Sequence, residues 1–252
     1  DDDRLDSIRT GPTWPDRYLN EGEAGPLTGL SVNDARVIPG GSQLGRLESP
    51  SAATPAVDPA AHGSTVFAEL LRARGVVIDG VAKSGAAPGT GQQLAAIDSL
   101  TIEEIVAQML RFSDNNTAEL LLKEVGLKGK KDPSTAGGIA VATEKLNEWK
   151  LPMEGVVLAH GSGLDQNNKV TCNLLVKLLE RDGALGPLSA GLAIPKENGT
   201  LRDRYDDSLA FDNVRAKTGT LSGVTSLSGW VASDKGSHIA FAYVMNMPGE
   251  SV

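Results

Sequence analysis

Three strand-like runs near the C-terminus constrain the fold most. Val214–Lys217, Val224–Ala232 and Ile239–Met245 each read as a strand, and Asp234-Lys235-Gly236 supplies a turn between the last two. They read as consecutive antiparallel strands. Before them the pattern is helical. Val66, Phe67, Leu70 and Leu71 recur at helical spacing and Gly75 closes the segment. Thr101-Ile102-Glu103-Glu104 is a capping box opening a stripe of Ile102, Ile105, Val106, Met109 and Leu110 that ends at Phe112. A second helix starts within Asn115-Asn116-Thr117 and runs through Leu120, Leu121 and Leu122 towards Gly126, and two more are predicted at Thr135–Trp149 and Thr171–Arg181. Helices followed by a strand meander predict an α+β fold, with an antiparallel sheet flanked by helices.

The first part of the chain differs. It is rich in Gly and Pro, with short extended pieces at Leu30–Asn33 and Ala35–Ile38 that read as strands. The Pro- and Ala-rich stretch Pro50–Ala61 reads as a crossover or linker, which divides the chain into residues 1–57 and 58–252. Val156–Ala159 is expected to be a short strand leading into His160-Gly161-Ser162-Gly163-Leu164.

A net charge of −8 removes the clustered cations that nucleic-acid binding draws on, so no nucleic-acid partner is expected. One cysteine, Cys172, excludes an internal disulfide, and three scattered histidines offer no metal-ligand spacing; neither metal nor other cofactor is expected. Cys172 reads as a small buried packing residue and His160 as structural. The longest apolar run, Ile239–Met245, is far short of the roughly 20 residues a spanning helix needs.

Two triplets carry chemistry. Ser113-Asp114-Asn115 lies at the tight junction between two predicted helices, and Lys217-Thr218-Gly219 lies at the end of a predicted strand, with Gly219 turning into the next. Taken alone, Ser113 reads first as a helix N-cap and Lys217 as a solvated strand-end lysine. The chain even contains a decoy of each triplet. Ser31-Val32-Asn33 falls in a strand-like run, and Lys83-Ser84-Gly85 precedes a Pro- and Gly-rich stretch where no strand can follow.

The surrounding segments separate motif from decoy. Arg111–Glu119, His160–Leu164, Asn198-Gly199-Thr200-Leu201-Arg202 and Ala216–Gly223 together resemble, in order, the segments of class C penicillin-binding D-alanyl-D-alanine carboxypeptidases. That resemblance implies a β-lactamase/transpeptidase-like sheet, with residues 1–57 as the remnant of an inserted, β-rich accessory domain. It implies catalytic roles for Ser113, Asn115 and Lys217. Ser113 would relay a proton to the leaving amine, Asn115 would bind the substrate amide, and Lys217 would hold positive potential at the nucleophile. Thr218, Gly219, Thr220 and Ser162 would bind substrate, with the Thr220 N–H forming half of an oxyanion hole.

The family's Ser-x-x-Lys nucleophile motif is absent, since none of the twelve lysines has a serine three residues before it. The chain is therefore expected to be the C-terminal portion of a longer exported protein, acting in the periplasm, cell wall or outside the cell, and to be inactive and aggregation-prone without its N-terminal portion. Implied partners are that portion, peptidoglycan peptides ending in D-Ala-D-Ala, and β-lactams. Two alternatives stay open: a β-lactamase or esterase of the same superfamily, and a pseudoenzyme that only binds peptidoglycan.

Overall fold

The computed structural model describes residues 2–39, 53–87, 89–205 and 213–247. The chain packs as two compact units interleaved along the sequence: residues 1–96, 115–141 and 160–165 in the first, and 97–114, 142–159 and 166–252 in the second. The two units are interleaved across the expected division at 57/58.

In the first unit, α1 (Arg17–Glu21) precedes a pair of two-residue strands, β1 (Arg36–Val37) and β2 (Thr54–Pro55), paired antiparallel. The strand predicted at Leu30–Asn33 is absent. Asn33, Asp34 and Ala35 all take positive φ (50°, 55° and 52°), which twists the chain into a 3₁₀ turn before β1 can start. The strand predicted at Ala35–Ile38 shrinks to β1. Helix α2 (Pro59–Arg72) begins as its sequence dictates. The Asp58 side chain accepts from the Ala61 N–H, and Pro59 occupies the first turn, where no N–H is missed. At the other end Gly75 adopts φ +83° and its N–H bonds the Arg72 carbonyl. Its buried face is built from Pro59, Ala60, Gly63, Val66 and Ala68, whereas Phe67 of the predicted stripe is 62% exposed. Small residues win this contact because they let the backbone approach: a Cβ on Gly63 would stand 3.1 Å from the Leu30 side chain.

Helix α4 (Asn115–Lys130) runs a turn beyond its predicted stop at Gly126. That glycine is interior because a neighbouring segment occupies its side-chain space, where a Cβ would lie 2.4 Å from the Asp132 carbonyl oxygen and 2.5 Å from the Gly138 N. Helix α5 (Thr135–Glu148) starts in this unit and presses just as closely, since a Cβ on Gly138 would lie 2.1 Å from the Leu122 carbonyl oxygen. Gly138→Ala is therefore expected to lower the unfolding free energy by about 2–3 kcal/mol, measured by chemical denaturation, because backbone cannot yield as a flexible side chain does. An unchanged midpoint would show that the two helices are free to separate.

The buried face of α4 is polar: Asn116, Glu119, Lys123 and Gly126. Asn116 Oδ1 accepts from the Gly25 N–H at 3.0 Å. The Lys123 ammonium, fully buried, meets the Asp6 carboxylate and donates to the Ile8 carbonyl at 2.9 Å. A buried charge persists only when it is paired in this way. One helix thus collects segments from three distant parts of the chain.

The second unit holds the predicted sheet. Strands β3 (Val214–Leu221), β4 (Val224–Ala232) and β5 (His238–Asn246) form an antiparallel meander in the order β3-β4-β5. Paired residues share a face. Val214, Ala216, Leu227, Val231 and Phe241 pack with Ala193 and Leu201. Trp230 and Ala240, on the opposite face, meet Leu179 of α6 (Cys172–Asp182), Leu188 of α7 (Pro187–Ala190) and Leu192. The Trp230 indole N–H donates to the Ser189 hydroxyl at 2.7 Å, satisfying its one buried polar atom.

Strand β3 extends four residues past its predicted end at Lys217, so Gly219 lies within the ladder and the turn comes at Ser222-Gly223. The strand predicted at Val156–Ala159 reduces to one bridge, Val157 to Lys169. Helix α3 (Ile102–Phe112) carries its capping box in full, yet no residue of its apolar stripe is fully buried. Cys172 is exposed rather than packed, because it sits in the first turn of α6 beyond the apolar face that buries Leu174 and Leu179. No helix among the described residues is long and apolar enough to cross a membrane.

Candidate active site

The predicted site residues divide between the two units. Ser113, Lys217, Thr218, Gly219 and Thr220 belong to the second; Asn115 and Ser162 belong to the first.

In the second unit, Ser113 caps the C-terminus of α3 at φ 57° and ψ 47°, a left-handed conformation that is uncommon for a non-glycine residue. The backbone N–H groups of Ser113 and Asp114 both return to the Met109 carbonyl, which stops the helix. Ser113 therefore terminates one helix rather than starting one. Strand β3 brings Lys217 to it, and the ammonium donates to Ser113 Oγ at 2.7 Å and to the Thr218 carbonyl at 2.6 Å. Residues 104 positions apart thus meet through a hydrogen bond. Among the described residues no carboxylate pairs with Lys217, and burial pushes its pKa down to about 8. A lysine poised there exchanges protons near neutral pH and polarises the hydroxyl it touches.

Thr218 Oγ1 lies 2.9 Å from Thr200 Oγ1, so its hydroxyl too is held in place. Gly219 has a local reason to lack a side chain: a Cβ would stand 2.4 Å from Ser226 Oγ on β4. Along the edge of β3 away from β4, the Ala216 N–H donates to the Ala193 carbonyl at 2.9 Å. The period of two then turns the N–H groups of Thr218 and Thr220 to the same edge, where no described strand pairs with them. That edge can accept an extended chain by strand addition.

In the first unit, Asn115 opens α4 and its side-chain amide donates to the Glu23 carbonyl at 2.8 Å. One turn on, the Glu119 side chain is completely buried. Its Oε1 accepts from the Ser162 N–H at 2.8 Å and from the Ser162 hydroxyl at 2.6 Å, while Oε2 is buried with no hydrogen-bond partner among the described residues. The Ser162 hydroxyl also accepts from the Leu164 N–H at 3.3 Å, so it braces its own loop. His160 is buried as expected for a structural residue. Its Nδ1 accepts from the Trp14 indole N–H at 2.8 Å, which leaves Nε2 facing Asp165 at 3.1 Å.

Neither decoy reaches these positions. Asn33 lies in the 3₁₀ turn before β1, and the Ser84 hydroxyl donates to the Asp58 carboxylate. Sequence reasoning missed Thr200 and Glu119. Both lie inside the segments that carried the resemblance, and the spacing of Glu119 four residues from Asn115, on one helix face, was the available signal. No cluster of His, Cys, Asp and Glu able to hold a metal occurs among the described residues.

Comparison with known proteins follows the same lines. Residues 37–252 match the D-Ala-D-Ala carboxypeptidase 3 (S13) family. A D-alanyl-D-alanine carboxypeptidase from Actinomadura sp. (strain R39) is 35% identical over 200 residues, 75% of this chain and 37% of that protein. Carboxypeptidase Rv3627c of Mycobacterium tuberculosis is 28% identical over 257 residues, 96% of this chain and 53% of that protein. The crystal structure of penicillin binding protein 4 from Haemophilus influenzae, complexed with a novel β-lactam, superposes with a TM-score of 0.65 at 26% identity, covering 77% of this chain and 46% of that one. The chain thus spans about half or less of the length of these relatives.

Proposed function

Because the chain belongs to the D-Ala-D-Ala carboxypeptidase 3 (S13) family, we propose that the full-length protein carrying it is a serine D-Ala-D-Ala carboxypeptidase or endopeptidase. It would cleave peptidoglycan stem peptides through an acyl-enzyme and be acylated by β-lactams. The observation that carries this reading is the Lys217–Ser113 contact, a half-buried lysine donating to a serine hydroxyl at 2.7 Å. In acyl transfer such a pair passes a proton to the departing amine: Ser113 gives its proton to the leaving nitrogen and is re-protonated by the general base that activated the nucleophile. The ammonium of Lys217 offsets the negative charge that builds on the reacting carbonyl oxygen and on the substrate carboxylate. Thr218 and Thr220 supply hydroxyls for that carboxylate, and the Thr220 N–H, on the open edge of β3, is one oxyanion donor. For Asn115 and Ser162 the roles are those that the family resemblance implies, binding of the substrate amide for the first and of substrate for the second.

The nucleophile and its lysine base are supplied by the N-terminal portion of the same protein. Two features support a missing packing partner for the second unit: α3 has an apolar stripe with no fully buried residue, and β5 has no strand on its outer edge among the described residues, with Ile239, Tyr243 and Met245 exposed. The protein acts outside the cytoplasm, where its substrate is.

The test is the intact mass of the full-length protein before and after incubation with a penicillin. One adduct, mapped to a serine outside these 252 residues, is the expected result. Absence of an adduct on folded protein would favour a pseudoenzyme that binds peptidoglycan. Adduct formation followed by loss within seconds would favour a β-lactamase.

A further inference from the structure

We propose that Thr200 is a positioning residue that sets the preference for substrates with a free terminal carboxylate, acting through the hydroxyl of Thr218; this rests on the acyl-transfer reading above. The two hydroxyl oxygens are 2.9 Å apart, within hydrogen-bond reach. A threonine hydroxyl has a single proton. If Thr218 is to give that proton to a carboxylate, its oxygen needs a different donor to hold it, and Thr200 is placed to be that donor. With the Thr200 hydroxyl donating to Thr218, a chain runs from Thr200 to Thr218 to the carboxylate, in which each bond polarises the next.

Thr200 can do this because the turn that carries it cannot shift. The 3₁₀ turn Gly199–Leu201 is pinned on both sides. Gly199 takes φ +62°, and a Cβ there would lie 2.2 Å from the Arg111 carbonyl oxygen, in the last turn of α3. Leu201 is fully buried among Ala193, Val214, Ala216 and Leu227, against the strand that carries Thr218. The loop before it is closed by the Ile194 N–H donating to Asn198 Oδ1 at 3.2 Å and the Lys196 N–H donating to the Arg202 carbonyl at 3.0 Å. The helix that ends at Ser113 and the strand that bears Lys217 and Thr218 are thus bridged by one rigid turn, with the Thr200 hydroxyl at its centre. Preorganisation of this kind removes the entropy cost of fixing a hydroxyl at the moment of binding.

The test compares wild type, Thr200→Val and Thr200→Ser in the full-length protein. The substrates are two thiol esters that differ only in carrying a terminal carboxylate or its methyl ester. Loss of a hydrogen bond that supports a charged ligand predicts a fall of about tenfold in kcat/KM for the carboxylate, mostly through KM. The methyl ester should change by less than about twofold, and Thr200→Ser should restore the carboxylate rate to within about twofold. An equal loss on both substrates would show that Thr200 only supports the fold, and an unchanged carboxylate rate would show that Thr218 needs no such donor; either overturns the inference. If wild type turns over neither ester, the acyl-transfer reading falls and this inference with it.

Discussion

Lys217→Met in the full-length protein is expected to slow acylation by a penicillin about 10³-fold and, near neutral pH, to make the protein slightly more stable. The rate follows from losing both the charge beside the reacting centre and the proton relay to Ser113. The stability follows from linkage. Burial lowers the Lys217 pKa from 10.5 to about 8, so the ammonium is harder to hold in the folded state than in the unfolded chain. Between pH 8 and 10.5 the unfolded chain binds more protons, and stability therefore rises with pH through that window. Below pH 8 the full penalty is present, about 3 kcal/mol. Two hydrogen bonds, to Ser113 and to the Thr218 carbonyl, which the neutral amine donates as well as the ammonium, contribute about 2 kcal/mol at either pH. The methionine variant should gain about 1 kcal/mol at pH 7 and lose about 2 kcal/mol near pH 10.5. Denaturant titrations of both proteins at the two pH values measure this. The same sign at both would mean that the lysine carries no desolvation penalty. Wild-type acylation should likewise decline as pH rises through about 8.

Glu119→Ala is the second large effect, and it falls on the first unit. The carboxylate is the acceptor for both the N–H and the hydroxyl of Ser162, so its removal strands two donors in a buried site. The expected cost is about 3 kcal/mol, or roughly a hundredfold loss of hydrogen-exchange protection at the Ser162 amide. Glu119→Gln keeps a carbonyl acceptor and turns an amide group towards the position of the unpartnered Oε2; it should recover most of the protection. If alanine and glutamine behave alike, charge rather than hydrogen bonding is what the loop requires.

What the sequence reveals of this fold depends on where the information resides. Strand β4 is legible almost to the residue because it is an apolar run bounded by turns at Ser222-Gly223 and Asp234–Gly236. Helix α3 is legible because its capping box is a local hydrogen-bond pattern. Strand β3 looks four residues too short because Thr218, Gly219 and Thr220 lack apolar alternation, and only pairing with Ser226 and its neighbours on β4 makes them a strand. Val156–Ala159 has the composition of a strand but finds a single partner, Lys169. Gly126 looks like a helix stop and is a packing site. At the site, motif order pointed to Ser113 and Lys217, and the structure places them in contact. Thr200 and Glu119 lay inside the motif segments, but their roles were not legible, since what matters about each is a partner 18 or 43 positions away.

The polar face of α4 also sets a timetable for biosynthesis. Asp6 leaves the ribosome 117 residues before its partner Lys123, and Gly25 leaves 91 residues before Asn116. At ordinary translation speeds of about 5–20 residues per second, the N-terminal segment waits on the order of ten seconds for the helix that neutralises and anchors it. Through that interval Asp6 has no lysine to pair with and keeps only local contacts, such as the N–H of Ile8 two residues on. The first unit closes only once α4 has emerged.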